Sequence, residues 1–277
     1  MSAGSGEAAE PITIRRLGSN DDYAACVRLQ RLVWGEMFTE LVPLAILKVG
    51  QRIGGVTAGA FSPDGRLAGF VFGLTGVERG RLVHWSDMLA VHPDLRNRGI
   101  GGRLKSYQRA ELSQIGVEAI YWTFDPLVAR NAHLNLNRLG AVVREYVIDM
   151  YGADTSSPLQ SGLGTDRLVI EWWIADSAEA AAPPRDGGER AGALVKAEAG
   201  EPALHEGTLA GLPPRLSIEV PGDIEAVQRE SVARAARWRA VTRAAFTSAL
   251  GRGYRVAGFR RSRGRTAGVY LLDRTGG

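Results

Sequence analysis

The hydrophobic pattern changes period several times along the first 175 residues, and each change marks an element. Residues 12–16, "ITIRR", read as a first strand. Ala25, Leu29, Leu32 and Val33 then fall at helical spacing, which predicts a helix capped by Asp21 or Asp22 and running to Trp34. Pro43 opens a second helix, "PLAILKVGQRI". "VTAGAF", the turn "SPDG" and "RLAGFVFGLTG" predict a hairpin, and "RLVHWSDMLAV" a further strand ending at His92-Pro93. A helix to about Ile115 follows, with Leu104, Tyr107, Gln108 and Leu112 on one side. "EAIYWTF" reads as a strand. Asp125-Pro126 reads as the N-cap and first turn of a helical region through "ARNAHLNLNRLG". "VVREYVIDMY" and "DRLVIEWWI" supply two more strands. The order β-α-α-β-β-β-α-β-α-β-β predicts a mixed α/β fold around one sheet.

Residues 176–212 break the pattern. They are rich in Ala, Gly, Pro and charge with little apolar periodicity, which predicts a flexible linker. Order is expected to resume at "RLSIEVPGDIEAV". Asp223 would cap one long helix to about Leu250, with Ile224, Val227, Trp238, Val241, Ala245 and Leu250 as its apolar side. "YRVAGFRR" and "AGVYLLDR" read as a hairpin-like pair. The expected organisation is a disordered N-terminus (1–11), a main domain (12–175), the linker (176–212) and a small C-terminal α/β unit (213–277).

Composition narrows the class. Apolar residues make up 45% of the 277, enough for a real core, and no apolar run approaches the roughly 20 residues that cross a bilayer. "MSAGSGEAAEP" lacks the regions of a signal peptide, so a soluble, cytoplasmic protein is expected. Cys26 is the sole cysteine, and His84, His92, His133 and His205 show no zinc spacing, so no metal is expected. A net charge of +4 suits an anionic ligand. Without long basic blocks and interleaved aromatics, it speaks against nucleic acid. The arginine-rich "RGYRVAGFRRSRGR" near the C-terminus reads as a turn between two strands rather than an interaction surface.

The densest chemistry lies in "HPDLRNRGIGGRLKSYQRAE" (92–111), where a strand becomes a helix. A helix start carries N–H groups without internal partners and a partial positive charge. Gly99, Gly101 and Gly102 let an anion approach that backbone, and Arg96, Arg98 and Arg103 add forked donors. The stretch reads as a pyrophosphate cradle. It is not the Rossmann fingerprint, because the strand is not the first. A P-loop would need Lys-Ser/Thr after its second glycine, and Gly101 is followed by Gly102-Arg103.

"VHPDLRNRGIGGRL" resembles motif A of the GNAT family, the GCN5-related acyltransferases that use acyl-coenzyme A, in its R-x-x-G-x-G followed by a helix. "NAHLNLNRLGAVV" resembles motif B, in which an Asn opens the helix and a Gly closes it. The resemblance covers residues 12–174. The stretches 122–147 and 162–173, with "ARWRAVTRAAFTSALGRGYRVAGF", look like a bacterial subgroup carrying an extra C-terminal region, some members of which look like succinyl-CoA:amino-acid N-succinyltransferases. The resemblance implies a sheet splayed between its fourth and fifth strands, with pantetheine pairing to the fourth strand's backbone. It implies direct transfer of an acetyl or succinyl group from acyl-CoA to the amine of a small molecule, an amino acid being one candidate. The alternatives are a non-catalytic acyl-CoA-binding module or an interaction protein on the same scaffold. A small-molecule amine and a second copy of the chain are the expected partners, with no nucleic acid and no membrane.

The cofactor set expected from this reading is Leu89, Ala90, Val91, Arg96, Asn97, Arg98, Gly99, Ile100, Gly101, Gly102, Arg103 and Asn131. Period two puts Trp85, Asp87, Leu89 and Val91 on one strand face and His84, Ser86, Met88 and Ala90 on the other. The position four residues before the motif's valine, where these enzymes often carry an acid/base residue, is Asp87, though relatives often have His there. Burial beside Trp85 would raise its pKa. His84 titrates nearer neutrality but lies on the wrong face unless a bulge intervenes, which makes a partly exposed structural role the competing reading. The family's motif-B Tyr is replaced by Leu136, leaving Tyr146 and Tyr151 as substitutes, of which Tyr146 is the candidate acid. Asp125 and Arg167 are candidate substrate ligands. Arg167 would hold a carboxylate or pair with Asp166 or Glu171. Trp122, Trp172 and Trp173 read as core or cleft wall.

Overall fold

The computed structural model describes residues 12–152, 163–174, 191–211, 213–262, 264 and 266–274. The expected disordered N-terminus and residues 176–190 of the expected linker lie outside them. The chain divides into two compact units, residues 1–118 and 119–277, rather than at the boundary expected near 175.

In the first unit, β1 (Thr13–Arg16) leads into α1 (Asn20–Trp34). Its cap is Ser19, not Asp21 or Asp22. Ser19 Oγ accepts from the Asp22 N–H at 3.1 Å, and Asp22 Oδ2 accepts from the Ser19 N–H at 3.2 Å, a reciprocal capping box. α2 (Leu44–Arg52) starts directly after Pro43. β2 (Val56–Phe61), β3 (Leu67–Glu78) and β4 (Arg81–Val91) complete an antiparallel sheet in the order β1-β2-β3-β4. A short turn at Pro93–Leu95 then opens α3 (Ile100–Gln114). Leu17, Leu47, Phe70, Phe72 and Leu104 are buried between sheet and helices, each worth roughly 1.5–3 kcal/mol of removed apolar surface.

In the second unit, β5 (Ala119–Phe124), β6 (Val142–Val147) and β7 (Arg167–Trp173) form an antiparallel sheet with β7 in the middle. The helix expected from Asp125 starts later. α4 (Ala129–Ala132) has Val128 at its N-cap and widens into a π-helical turn, His133–Arg138. Asp125 Oδ1 instead accepts from the Leu127 N–H at 2.8 Å and closes a turn. The element order through Trp173 is the order expected of the GNAT fold, and the class is mixed α/β.

Residues 191–211, expected to belong to a flexible linker, carry regular structure instead. β8 (Gly192–Glu198) and β9 (Glu201–Leu204) form an antiparallel hairpin. Its two turn residues, Ala199 (φ 50°) and Gly200 (φ 83°), both adopt the left-handed conformation that tight hairpins need. β10 (Arg215–Pro221) pairs parallel with β8 and antiparallel with β12 (Ala267–Arg274), which in turn pairs with β11 (Tyr254–Arg261). The sheet order is β11-β12-β10-β8-β9. The single long helix expected after Asp223 is two helices, α5 (Ile224–Glu230) and α6 (Val232–Leu250). Ser231, in extended conformation, separates them and caps α6 through the Arg234 N–H. Ala235, Trp238, Ala245, Phe246 and Ala249 are the buried face of α6.

Long-range bonds explain why β5–β7 belong with the C-terminal region. The Tyr270 hydroxyl donates to the Pro126 carbonyl at 2.8 Å, Asn137 Nδ2 to the Phe259 carbonyl at 2.8 Å, and Arg239 Nε to the Leu163 carbonyl at 2.9 Å. Among the described residues, no helix is long and apolar enough to cross a membrane.

Candidate functional site

The end of β4 and the start of α3 carry the densest set of candidates. Asn97 (φ 63°) and Gly99 (φ 76°) both turn left-handed, and Gly99 is the N-cap of α3. A Gly99 N-cap has no side chain to offer, and no side chain caps the helix. The first-turn N–H groups of Ile100, Gly101 and Gly102 are therefore without a capping acceptor. A Cβ on Gly102 would meet nothing within 4 Å, and one on Gly101 would touch Leu89 and Val91 only at ordinary contact distance. Arg96, Asn97, Arg98 and Gly99 are exposed around this turn. Ile100 is buried and anchors the turn to the core. Arg103 departs from expectation, since its guanidinium donates to the Ile12 carbonyl at 2.5 Å and ties α3 to the segment entering β1.

β4 carries a bulge. Phe72 faces Met88 while Leu74 faces Trp85, so Ser86 and Asp87 together lie opposite Gly73. Burial still alternates along the strand. His84, Ser86, Met88 and Ala90 are buried against the helix side, while Trp85, Leu89 and Val91 are half-buried and Asp87 is exposed. The bulge does not bring His84 to Asp87's face. Gly73 makes room for the His84 ring, because a Cβ there would lie 2.2 Å from His84 Nε2.

His84 is therefore not a general base. It is fully buried, with Nδ1 3.0 Å from Thr75 Oγ1 and Nε2 3.0 Å from Gln108 Nε2. Burial first, then nearby Lys105, pushes its pKa down to about 3. Lys105 is itself buried, donates to Ser86 Oγ at 2.7 Å, and is held well below its ordinary value by burial. Asp87 moves the other way: burial raises its pKa, and a hydrogen bond from the Trp85 side chain opposes the rise. Its carboxylate is accessible by surface area yet flanked by protein bulk on its strand face.

In the second unit the structure overturns another expectation. The Tyr146 hydroxyl donates to Asp166 Oδ2, and its ring stacks on Phe246 with centroids 5.2 Å apart. Burial and the Asp166 carboxylate raise its pKa further. Tyr146 is a structural anchor and not a proton donor poised for a thiolate. Asp125, expected to cap a helix or hold substrate, gives Oδ2 to Arg239 Nη2 at 2.5 Å. Arg243 pairs with Asp166 and Asp149. Arg167 opens β7, 6% exposed, and its Nη1 donates to the Asp166 carbonyl at 2.9 Å. It makes neither of the salt bridges expected with the Asp166 or Glu171 side chains, since Glu171 accepts from Tyr121 instead. Asn131 lies in α4, half-buried, with its backbone N–H bonded to Val128. Leu136 is buried, as a core residue would be, and Trp122 packs edge-on against Trp172 at 6.1 Å.

Sequence reasoning missed Lys105, Arg239 and Arg243. Gln108 sat among apolar positions of α3, which was a signal that a polar group turns inward. Arg239 follows Trp238 on the apolar side of its helix, and its partner Asp125 lies 114 positions away, so nothing local pairs them.

The fold and the glycine-opened helix start define the class, a mixed α/β chain whose α3 begins without a side-chain cap. No protein-family model matches the chain, and no curated protein sequence does. Among solved structures it is similar to the ribosomal-protein-S18-alanine N-acetyltransferase from Escherichia coli. The TM-score is 0.46 and the identity 18%, over 61% of this chain and 97% of that one. An acetyltransferase of the GNAT family from Streptococcus pneumoniae gives 0.47 and 17%, over 60% and 100%. An aminoglycoside 6'-N-acetyltransferase complexed with coenzyme A gives 0.46 and 15%, over 60% and 99%.

Proposed function

We propose that the protein is an acyl-CoA-dependent N-acyltransferase that moves an acetyl or succinyl group to the amine of a small molecule. The observation that carries the reading is the start of α3. Three first-turn N–H groups stand without a side-chain cap, next to glycines that leave open space and to exposed Arg96 and Arg98. Such a helix start binds a pyrophosphate through oriented donors and the helix dipole, and the residues fit CoA on that ground. Arg103, committed to the Ile12 carbonyl, orients the helix rather than the ligand.

In this reading acyl-CoA supplies the thioester. Leu89, Ala90 and Val91 at the end of β4 offer backbone to the pantetheine. Asp87, with its raised pKa and its place on the Leu89–Val91 face, takes the proton from the attacking ammonium, directly or through one water. With Tyr146 held by Asp166, no tyrosine is assigned to the leaving thiolate, which water protonates. That same observation favours a second reading, a CoA-binding module without turnover.

Thiol release with acetyl-CoA and succinyl-CoA against a panel of small amines separates the two. Release above the uncatalysed rate supports transfer. CoA binding without release supports the module. Absence of CoA binding removes both.

A further inference from the structure

α3 meets β4 along one stripe of the helix. Gly101, Lys105 and Gln108 stand at i, i+4 and i+7, so they share a face of α3. A Cβ on Gly101 would touch Leu89 and Val91 at 3.5 and 3.9 Å, Lys105 Nζ donates to Ser86 Oγ at 2.7 Å, and Gln108 Nε2 lies 3.0 Å from His84 Nε2. The three contacts step down β4 in order. The first belongs to the turn that opens the helix, and the third to the withdrawn histidine. The middle contact, a buried amine on a buried hydroxyl, serves neither.

Lys105 and Ser86 are each 4% exposed. A methionine would fill the same space without burying an amine, so packing does not account for the nitrogen. Its partner stands at an irregular point of the strand. Ser86 and Asp87 both lie opposite Gly73, and a bulge leaves its extra residue without complete ladder bonds. The backbone there needs another restraint, and the Ser86 side chain supplies it by reaching inward to Lys105. Asp87 follows on the opposite face, exposed, with a hydrogen bond from the Trp85 side chain. Fixing Ser86 fixes the peptide from which Asp87 departs. Because Lys105 lies one turn on from Gly101, the same bond sets Asp87 in register with the start of α3.

We propose that Lys105 is a positioning residue for Asp87, acting through Ser86 at the β4 bulge. The proposal rests on the acyltransferase reading for what Asp87 does there; the restraint on the bulge does not depend on CoA chemistry.

Lys105→Met and Ser86→Ala each break the bond, and both are compared with the double variant in the full chain. NMR of the Trp85 indole N–H reads the restraint directly. Its hydrogen exchange should quicken about tenfold or more in either single variant as Asp87 moves away, the equivalent of one lost charge-assisted hydrogen bond. Thiol release should show kcat lowered about ten- to a hundredfold, with acceptor KM and CoA affinity unchanged. The double variant should be no worse than the single ones, because both remove the same contact. If Lys105→Met does not fold, Ser86→Ala decides. Unchanged Trp85 exchange in a folded variant, additive losses in the double variant, a fall in CoA affinity that matches the fall in kcat, or undiminished kcat in either single variant would each overturn the proposal. If the native protein releases no thiol, the acyltransferase reading fails, and the Trp85 exchange alone judges the restraint.

Discussion

Replacing Gly101 and Gly102 by alanine separates ligand binding from folding, because the two effects have opposite signs. Both residues lie in the first turn of α3, and neither has a left-handed φ. A Cβ at 102 enters open space. One at 101 meets Leu89 Cδ2 at 3.5 Å and Val91 Cγ2 at 3.9 Å, ordinary contact. Glycine in a helix interior costs about 1 kcal/mol relative to alanine, and less in the first turn, so the double substitution should stabilise by about 1 kcal/mol. For a chain of this size that is a rise in Tm of roughly 2–4 °C. The same methyl groups stand among the N–H groups that would face the pyrophosphate. Losing one charge-assisted hydrogen bond costs roughly 1.5–3 kcal/mol, which weakens CoA about 10- to 150-fold. Gly101→Ala alone should carry the larger share, since its methyl points toward the Leu89–Val91 face. Thermal unfolding and calorimetry with CoA on the same preparation read both effects. A raised Tm with unchanged CoA affinity would refute the cradle, and a lowered Tm would refute the packing argument.

Asp87→Asn should lower turnover by about a hundredfold or more, leave CoA affinity alone, and remove the acidic limb of the pH–rate profile; a rise in acceptor KM at constant kcat would instead make Asp87 an ammonium ligand. His84 is protonated more easily in the unfolded chain than in the folded one, so stability should rise with pH between about 3 and 6.5, by up to about 1.4 kcal/mol per pH unit. Urea unfolding at several pH values should show that slope, and a folded His84→Gln variant with the same slope would exclude His84 as its source. Gly73→Ala puts a Cβ 2.2 Å from His84 Nε2 and 2.4 Å from the Trp85 carbonyl, and should destabilise by roughly 3 kcal/mol or more; an unchanged Tm would show that the bulge does not hold His84 in place.

The parts of this protein that were legible in its sequence are those fixed by local pattern. Period two along "HWSDMLAV" separated Asp87 from His84 correctly, and glycine density at a strand-to-helix change marked the start of α3. What the sequence hid depends on contacts between distant residues or on unusual turn residues. The β8–β9 hairpin turns on Ala199-Gly200, and alanine in a left-handed conformation carries none of the Asn-Gly or Asp-Gly signal that marks such turns. Ser231 breaks the long helix because its hydroxyl caps Arg234, an outcome that competes closely with continuing the helix through it. Asp125 looked like a helix cap because Pro126 follows it. Its second oxygen is claimed by Arg239, and that pairing moved both the reading of Asp125 and the boundary between the units.

The division of labour on β4 follows from hydrogen-bond direction as much as from burial. Thr75 Oγ1 donates to the Gly54 carbonyl at 2.7 Å, so toward His84 it accepts, and Nδ1 carries the ring proton. Nε2 is then the lone pair, and it accepts from Gln108 Nε2. Gln108 is held in that orientation because its Oε1 accepts from Lys105 Nζ at 3.3 Å. Protonating His84 at Nε2 would set a donor against the Gln108 amide. Turning that amide over would set its NH2 group against Lys105 Nζ, which donates to Gln108 Oε1 in the present orientation. The network resists the proton at both ends, which is why a histidine with a useful intrinsic pKa is withdrawn from chemistry, while the exposed Asp87 three residues on lies outside that network and is bonded to the Trp85 side chain instead. The nearest basic nitrogen on the strand serves to fix α3, and the acid–base role proposed for β4 is left to Asp87.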